Sequence, residues 1–358
     1  MPKASGAVVH ISDCYAPRTG GIETQVGSLV EAQRRTGLAV EVITATQGPR
    51  EDGIHRVTAP VPFDLPIHPR TRHRVTKLLE EINPSVVHIH LGATSPFAWG
   101  AMRACRDLGL PTVVTVHSMW GPASRTGYST FMSKRLTASI QWSAVSERAA
   151  QLVSQAIRQP VSVLPNGIDP DFWVVNQSMS DHLRLISVLR MAPRKRVLSL
   201  LKAFRRAQVA EPTIQLTLIG DGPLLGQAKK FSERHALNVH FTGRQDRGQI
   251  RAALGNSDVF VQASIHESFG IAALEARSVG LAVIARAESG TQSFVDNGLG
   301  GYLVASDVEF ADRIIELARN NEELRAMKAY NFSHRPPYDW DSIVIQAQNL
   351  YRRAQDAH

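Results

Sequence analysis

This sequence is poorest in cysteine and in long hydrophobic runs. Only Cys14 and Cys105 occur among the 358 residues, far apart and without the spacing of metal ligands, so we expect two reduced, structural thiols and no disulfide framework. No stretch approaches the roughly 18 uninterrupted apolar residues of a membrane-spanning helix, and the first residues do not have the pattern of a signal peptide. These absences favour a cytoplasmic protein.

Acidic residues are outnumbered by basic ones, and the formal net charge is +8. Such an excess favours anionic partners: nucleotide diphosphates, phospholipid surfaces or nucleic acid. Nucleic acid is disfavoured because the chain has no recognised nucleic-acid motif and no basic patch interleaved with aromatic residues. The densest basic cluster, between Arg70 and Lys77, precedes apolar residues at helical spacing and predicts a basic amphipathic helix. We interpret this helix as a solvated face, with peripheral contact to an anionic membrane as an alternative hypothesis.

Short apolar runs alternate with helical patterns along the whole chain. A composition of 43% hydrophobic and 20% charged residues is typical of a globular protein, and the length favours two domains. Unbroken apolar strands separated by helices predict parallel sheets covered on both faces, with ligands beyond the carboxyl ends of the strands. The turn-rich segment 160–170 is the predicted linker. The predicted strands are 7–11, 39–44, 85–90, 112–116, 141–145, 183–188, 215–219, 239–242, 258–262 and 282–284.

Two glutamates eight positions apart, Glu267 and Glu275, enclose the segment from Ser268 to Ile271 just after a predicted strand. A helix that begins near Gly270 leaves its first amides unpaired and directs a partial positive charge outwards, which suits a diphosphate. The two carboxylates can then bind the hydroxyls of a sugar nucleotide. The alternative is an ordinary amphipathic helix with two surface glutamates.

Two further candidate sites follow strands of the first half. Gly20 and Gly21 lie at a helix entry and permit close backbone contact with a phosphate or a sugar ring, although a tight strand-to-helix turn has the same pattern. His117 ends the strand 112–116. His88 and His90 share one strand face, and with His117 they form a possible metal group, but no cysteine or carboxylate completes the set. We predict no metal.

A basic segment follows the first predicted strand of the second half. Arg190 and Lys195 are candidates for neutralising a diphosphate, whereas Arg194 and Arg196 are expected to face solvent. A solvated basic turn is the alternative for the whole segment. The nearby Gly220-Asp221-Gly222-Pro223 has only a weak likeness to a dinucleotide-binding fingerprint, because Pro223 and a missing third glycine depart from it.

The chain as a whole resembles the retaining GT-B glycosyltransferases of family four, and these motifs follow one another in the family's order. The resemblance implies two doubly wound Rossmann-like α/β domains that face each other across a cleft. Residues 1–165 would form the acceptor-side domain and residues 166–337 the nucleotide-sugar domain. Residues 338–358 would form a helix that crosses back to the first domain.

The resemblance also implies the site roles. Glu267 would contact the transferred sugar and Glu275 the ribose, with the amides from Ser268, Phe269, Gly270 and Ile271 on the diphosphate. Arg190 and Lys195 would neutralise the leaving group, while His117 and the loop at Gly20 and Gly21 would lie beside the sugar. The donor would be a UDP or GDP sugar, with no further cofactor and no metal, and transfer would retain the anomeric configuration.

The acceptor implied by the resemblance is a hydroxyl of a sugar, a lipid-linked molecule or a small molecule. The enzyme would be cytoplasmic, either free or in peripheral contact with the inner face of the membrane. Two other functions stay open at this point. A sugar-nucleotide epimerase shares the architecture, but it needs catalytic acids at the sugar. The second alternative, a non-enzymatic basic binding protein, is consistent with the net charge of +8.

Overall fold

The computed structural model describes residues 6–18, 20–59, 68–121, 126–128, 139–177, 180 and 182–358. The chain divides into two compact units. Unit 1 comprises Met1–Gly167 together with Tyr338–His358, and unit 2 comprises Ile168–Pro337. Each unit is built on its own parallel sheet.

The sheet of unit 1 has seven strands in the order β3-β2-β1-β4-β5-β6-β7. All neighbouring strands are parallel, so every connection must cross over one face of the sheet. The strands are β1 Val8–Ser12, β2 Val40–Thr44, β3 Ile54–Arg56, β4 Val86–Leu91, β5 Thr112–Val116, β6 Ile140–Ala144 and β7 Ser162–Val163.

Helices cover both faces of this sheet. On one face, residues such as Ile11 and Ile89 pack with Phe97 and Met102 in the larger core cluster. On the other face, Val8 and its neighbours pack against the chain's last helix. The helices of unit 1 are α1 Gly21–Arg35, α2 Thr71–Ile82, α3 Pro96–Leu108, α4 Glu147–Ile157 and α11 Trp340–Asp356.

The helical spacing of Ile343, Ile345, Ala347, Leu350 and Tyr351 predicts a helix over 340–353. The last helix, α11, begins at Trp340 and is capped by Asp339, whose carboxylate accepts from the Ser342 amide at 2.8 Å. Its buried face differs from the predicted one at two neighbouring positions. Ile345, which we expected on the buried stripe, is 57% exposed, and Val344 is buried in its place. The reason is the 3.6-residue period, which places Val344 and not Ile345 in line with Ala347 and Tyr351.

Unit 2 repeats the same topology with six parallel strands in the order β10-β9-β8-β11-β12-β13. Its core joins strand residues such as Leu185 and Ile284 to helix residues such as Phe204 and Phe310. The strands are β8 Arg184–Val188, β9 Gln215–Ile219, β10 Val239–Gly243, β11 Val259–Gln262, β12 Ala282–Arg286 and β13 Gly301–Val304. The helices are α5 Val197–Ala210, α6 Leu225–Arg234, α7 Arg247–Gly255, α8 Ile271–Val279, α9 Asp307–Arg319 and α10 Asn321–Ser333.

The two parallel sheets confirm the predicted doubly wound α/β class. All ten predicted strands are present with ends shifted by two residues at most, whereas β3, β7 and β13 were missed. The missed strands lie at the sheet edges and are only two to four residues long. Such edge strands carry too few apolar residues to produce a periodic signal.

Strand order also fixes where a ligand can bind. In unit 1 the strands β2 and β3 are added on one side of β1, and the strands from β4 onwards are added on its other side. In unit 2 the order of addition reverses in the same way between β8 and β11. Loops that leave such a pair turn to opposite sides and open a crevice at the carboxyl ends of the strands. The predicted glycine loop follows β1, the predicted basic segment follows β8, and the segment that begins with Glu267 follows β11.

Candidate functional site

The crevice of unit 2 brings together two predicted residues that are 72 positions apart. Lys195 lies in the loop after β8 and Glu267 in the loop after β11, and Lys195 Nζ donates to Glu267 Oε2 at 2.5 Å. Both side chains are partly accessible, at 27% for Lys195 and 14% for Glu267. The loop that carries Lys195 is fastened to the end of β11 by Ser264, whose Oγ donates to the Lys195 carbonyl at 3.2 Å. The pair therefore offers a cation and an anion at one place.

The helix predicted to begin near Gly270 does begin there. Gly270 is the N-cap of α8 and has φ of 95°, a left-handed conformation that favours glycine. A Cβ at this position would lie 2.8 Å from Thr291 Oγ1. Phe269 is buried against Phe294, with ring centroids 5.3 Å apart, and this contact holds the turn in place. The first amides of α8 and the backbone around Gly270 thus form a rigid helix entry of the kind that binds anions.

Arg190, the second predicted cation, is exposed and pairs with no carboxylate among the residues that the structure describes. Its loop is held by a turn that the sequence argument undervalued. A Cβ at Gly220 would overlap the Leu189 carbonyl oxygen, and one at Gly222 would lie 2.6 Å from the Met191 oxygen. The two glycines allow the turn to pack directly on the backbone on both sides of Arg190.

Glu275 lies in the second turn of α8 and is half-buried. Burial raises the pKa of its carboxyl from 4.5 to about 7, and the charge of Arg247 opposes that rise. Arg247 itself lies over the Phe172 ring, with its guanidinium carbon 4.5 Å from the centroid. Sequence reasoning missed Arg247, because nothing in its local pattern distinguishes it from the other surface arginines.

Arg196 does not face solvent as expected. Its side chain is 24% exposed, and its guanidinium binds Asp307 at 2.6 Å, while Arg286 binds the same carboxylate at 2.8 Å. Arg196 also has φ of 56° as the N-cap of α5, a conformation that few residues with a side chain adopt. The correction has a physical reason: a carboxylate from α9, distant in sequence, lies within reach. Arg194 is exposed, as predicted.

In unit 1 the predicted glycine loop leads into α1, with Gly20 as the N-cap and Gly21 as the first helical residue. The carboxylate of Glu23 folds back over this entry, so that a Cβ at Gly20 would overlap it. Arg18 lies 3.4 Å from the same carboxylate. The exposed amides at the start of α1 are therefore next to one anionic and one cationic side chain.

Asp13, directly after β1, is a buried residue that sequence reasoning did not single out. Its carboxylate accepts from the Phe97 and Ala98 amides at 3.1 and 3.3 Å, at the beginning of α3. Burial raises the pKa of this carboxyl to about 7. The contacts show Asp13 acting as an N-terminal cap supplied by another element.

His117 follows β5 and is fixed by its own amide, which donates to the Leu91 carbonyl at 2.8 Å. Its ring contacts His90, with His117 Nε2 3.0 Å from His90 Nδ1, and it also hydrogen-bonds the Asn166 side chain. Burial lowers the pKa of His117 to about 4, so the ring is neutral near pH 7. His117 is thus part of a buried polar network.

The histidine group predicted from the sequence has a different membership. Among the described residues, the only group of three or more potential metal ligands is His10, His88 and His90, all buried, with ligand atoms within 4.8 Å of one another. His117 is outside it. Every ring nitrogen of these three histidines already lies within hydrogen-bond distance of a protein atom, at 2.7 to 3.0 Å. A metal ion would have to break those bonds.

Comparison with known proteins identifies the class. The model described as "Glycosyl transferases group 1" matches residues 174–334, and the model described as "Glycosyltransferase Family 4" matches residues 19–172. The chain therefore belongs to the group 1, family 4 glycosyltransferases of the GT-B fold, enzymes that use nucleotide sugars. The epimerase and the non-enzymatic alternative receive no support from these matches.

Similar proteins include a phosphatidyl-myo-inositol mannosyltransferase of Mycobacterium leprae, 26% identical over 93% of this chain and 92% of that protein. Another is the gpi3 subunit of a phosphatidylinositol N-acetylglucosaminyltransferase of Schizosaccharomyces pombe, 23% identical over 95% of this chain and 79% of that one.

Two solved structures share the fold. Anabaena Alr3699/HepE in complex with UDP and glucose has a TM-score of 0.77 at 17% identity, covering 97% of this chain and 100% of that one. The sucrose-phosphate synthase of Thermosynechococcus elongatus has a TM-score of 0.78 at 17% identity, covering 99% and 100%. Among the described residues of the present chain, none of the helices combines the length and the apolar character needed to cross a membrane.

Proposed function

We propose that this glycosyltransferase moves a sugar from a nucleoside-diphosphate sugar to an acceptor hydroxyl with retention of configuration and without a metal ion. The observation that supports the proposal most directly is the contact of Lys195 Nζ with Glu267 Oε2, at 2.5 Å, in the crevice of unit 2. Glu267 lies four residues ahead of Ile271, where α8 begins. A cation, a carboxylate and unpaired helix amides at one place match the diphosphate and the hydroxyls of such a donor.

In this proposal Lys195 and Arg190 bind the diphosphate together with the amides from Ser268 to Ile271. When the bond to the sugar breaks, negative charge collects on the leaving phosphate oxygen. Fixed cations and amides that stabilise this charge lower the barrier more than they strengthen ground-state binding. They supply the role that a divalent ion has in other phosphate sites.

Glu267 binds hydroxyls of the transferred sugar, and Glu275 binds those of the nucleotide ribose. Glu267 is already bonded to Lys195, and this contact suits a hydrogen-bonding carboxylate better than a nucleophile. We therefore assign no covalent intermediate. The acceptor hydroxyl attacks from the face that the diphosphate leaves, and the departing phosphate oxygen takes its proton. His117 and the loop at Gly20 and Gly21 contact the sugar.

The donor is of the UDP or GDP type, and the acceptor is a lipid-linked hydroxyl. Two kinds of relative support the lipid: the names of both the mannosyltransferase and the gpi3 subunit contain phosphatidylinositol or its myo-inositol form. The exposed basic face of α2, with Arg70 and Arg74, supplies positive charge for an anionic membrane surface. The free thiols Cys14 and Cys105 fit a reducing, cytoplasmic location.

A thermal-shift screen with uridine, guanosine and adenosine diphosphates and their sugars identifies the donor. With that donor, the anomeric configuration of the product is determined by NMR, in the presence and absence of EDTA. We expect retention and unchanged activity in EDTA. An inverted product, or activity lost to EDTA and restored by a divalent ion, would refute those parts of the proposal.

The residue assignment is tested with Lys195→Ala. We expect kcat to fall about 100- to 1,000-fold, the usual cost of losing one group that stabilises developing charge. The matched control is Arg194→Ala, which removes the same charge from the exposed neighbour in the same turn and should change kcat by about twofold at most. Equal losses in both variants would show a general effect of charge and not a site.

A further inference from the structure

Asp307, the first residue of α9, joins two arginines that come from different parts of unit 2. Its Oδ2 accepts from Arg196 Nη2 at 2.6 Å, and its Oδ1 accepts from Arg286 Nη1 at 2.8 Å. Arg196 follows Lys195 in the loop after β8, and Arg286 is the last residue of β12. One carboxylate therefore connects the loop that carries Lys195 to the carboxyl end of β12 and to the beginning of α9.

Arg286 is the fixed end of this arrangement, and its side chain is only 6% exposed. Its Nη2 donates to the Ala305 carbonyl at 2.5 Å and to Glu288 Oε1 at 3.1 Å, and its Nε donates to Glu288 Oε2 at 3.3 Å. With Nη1 on Asp307, all three nitrogens of the planar guanidinium are bonded, so the group is held in one orientation. Arg286 thereby fixes the position of the Asp307 carboxylate.

Arg196, at the other end, has a backbone conformation that a residue with a side chain rarely adopts. With φ of 56° and ψ of 36° it joins the short 3₁₀ turn Pro193–Lys195 to α5. Outside glycine, a left-handed residue persists where the surrounding contacts determine its conformation. The bond to Asp307 is such a contact, and a second one is the bond from Arg196 Nη2 to Ser199 Oγ at 3.3 Å. These contacts hold the chain in the direction that it takes between the turn and α5.

Lys195 is the last residue of that turn and depends on it for its position. Its amide donates to the Ala192 carbonyl at 2.9 Å, and its carbonyl accepts from Ser264 Oγ at 3.2 Å. The ammonium group that reaches Glu267 is attached through a flexible four-carbon stem, so it returns to one place only if the backbone below it is fixed. Ser264 fixes this backbone from the end of β11, and Arg196, the next residue in the chain, fixes it from α9.

We propose that Arg196, Asp307 and Arg286 are positioning residues that hold the backbone of Lys195, so that its ammonium group is fixed where negative charge collects on the leaving phosphate. We call these three residues the Asp307 clamp. The inference rests on the proposed function, which gives Lys195 that role. Because a fixed cation matters most when the charge develops, loss of the clamp should lower kcat more than it raises KM.

The first test is Asp307→Asn, which removes the charge of the carboxylate and keeps its shape. The measured rate is release of the nucleoside diphosphate from UDP-glucose or GDP-mannose, whichever stabilises the protein, with phosphatidylinositol as acceptor and with water alone. We expect kcat to fall about tenfold, and KM for the donor to change by about twofold at most. An unchanged kcat would overturn the proposal, whatever the effect on KM.

The matched control is Asp312→Asn. Asp312 lies five positions further along α9 and binds Arg206 of α5 at 2.8 Å, so the variant removes the same charge and an ion pair between the same two helices. Both partners are about half exposed and lie outside the clamp. Asp312→Asn should change kcat by about twofold at most. An equal loss in this control would show that weaker attachment of α9 to α5, and not the clamp, causes the effect.

Arg196→Gly separates position from stability. Glycine adopts the left-handed conformation without strain, so this variant should unfold at a temperature close to that of the native chain although it loses the bond to Asp307. We expect kcat to fall about tenfold, as in Asp307→Asn. A native kcat in Arg196→Gly would show that the backbone conformation alone places Lys195, and the clamp would have no function.

A double variant determines whether the clamp acts through Lys195. In a Lys195→Ala background the group that the clamp positions is gone, so adding Asp307→Asn should lower kcat by about twofold at most. A further tenfold loss would give Asp307 a separate role and overturn the proposal. Lys195→Ala alone tests the proposed function: native kcat in that variant refutes the donor site itself. If Lys195→Ala loses activity and Asp307→Asn does not, only the clamp is refuted.

Discussion

At the residue scale, ionisation of the buried Glu275 carboxyl lowers the stability of the folded chain, and the same carboxyl is the one we propose to bind the ribose. A buried carboxyl whose pKa is raised from 4.5 to about 7 is bound to its proton more tightly in the folded than in the unfolded chain. Stability is therefore lost as the pH rises from the unfolded value to the folded one, and above about 7 the loss is complete. A residue that destabilises the protein at neutral pH is typical of a binding site.

Glu275→Gln should raise the free energy of unfolding at pH 8 by on the order of 2 kcal/mol, because the neutral amide never has to be charged in a buried place. The gain should shrink towards pH 5. The same variant should bind the nucleoside diphosphate about ten times more weakly at pH 8, since the amide is a weaker acceptor for ribose hydroxyls. Denaturant unfolding and calorimetric titration measure the two effects.

Glu233→Gln is the control for that variant, because Glu233 is an exposed carboxylate of unit 2. Its effect on unfolding should be small and should not change between pH 5 and pH 8. If Glu275→Gln also shows no dependence on pH, the carboxyl is not desolvated as the structure implies.

At the element scale, α8 begins and ends with a glycine in the left-handed conformation. Gly270 has φ of 95° and Gly280 has φ of 96°. Alanine at either position should cost about 1–2 kcal/mol in the free energy of unfolding, because its Cβ meets the backbone in that conformation. Only Gly270→Ala should also weaken binding of the nucleoside diphosphate, since it displaces the helix entry against Thr291. Equal binding by both variants would place the diphosphate elsewhere.

At the scale of the whole molecule, the net charge of +8 gives a test of the proposed membrane contact. The double variant Arg70→Gln and Arg74→Gln should weaken binding to vesicles containing phosphatidylserine or phosphatidylinositol by about 1 kcal/mol per residue at low salt. The control is Lys229→Gln with Lys230→Gln on α6, which removes the same two charges from an exposed face of unit 2. Equal weakening would indicate attraction by net charge alone, and no binding by the native chain would exclude the contact.

How far each feature could be predicted depends on how far apart in the sequence the residues that determine it lie. The strands, the start of α8 at Gly270 and the start of α11 at Trp340 follow from local apolar patterns and turn residues. The ion pair of Arg196 with Asp307 was not predictable, because its partners are 111 positions apart. The Gly220-Asp221-Gly222 turn was undervalued because its role is to contact Leu189 and Met191, a role that the motif alone does not reveal.

The sequence by itself determined the class of protein, because short apolar strands, helices and ordered motifs are local properties that survive without knowledge of contacts. The candidate residues of unit 2 could also be selected from the sequence, since the segments that carry them each follow a predicted strand. Only the tertiary structure decided that Lys195 bonds Glu267, that Glu275 is desolvated, and that Asp307 binds both Arg196 and Arg286. Burial and hydrogen bonding depend on which side chains from distant segments surround a group, and parallel strand pairing brings those segments together only when the sheet is formed.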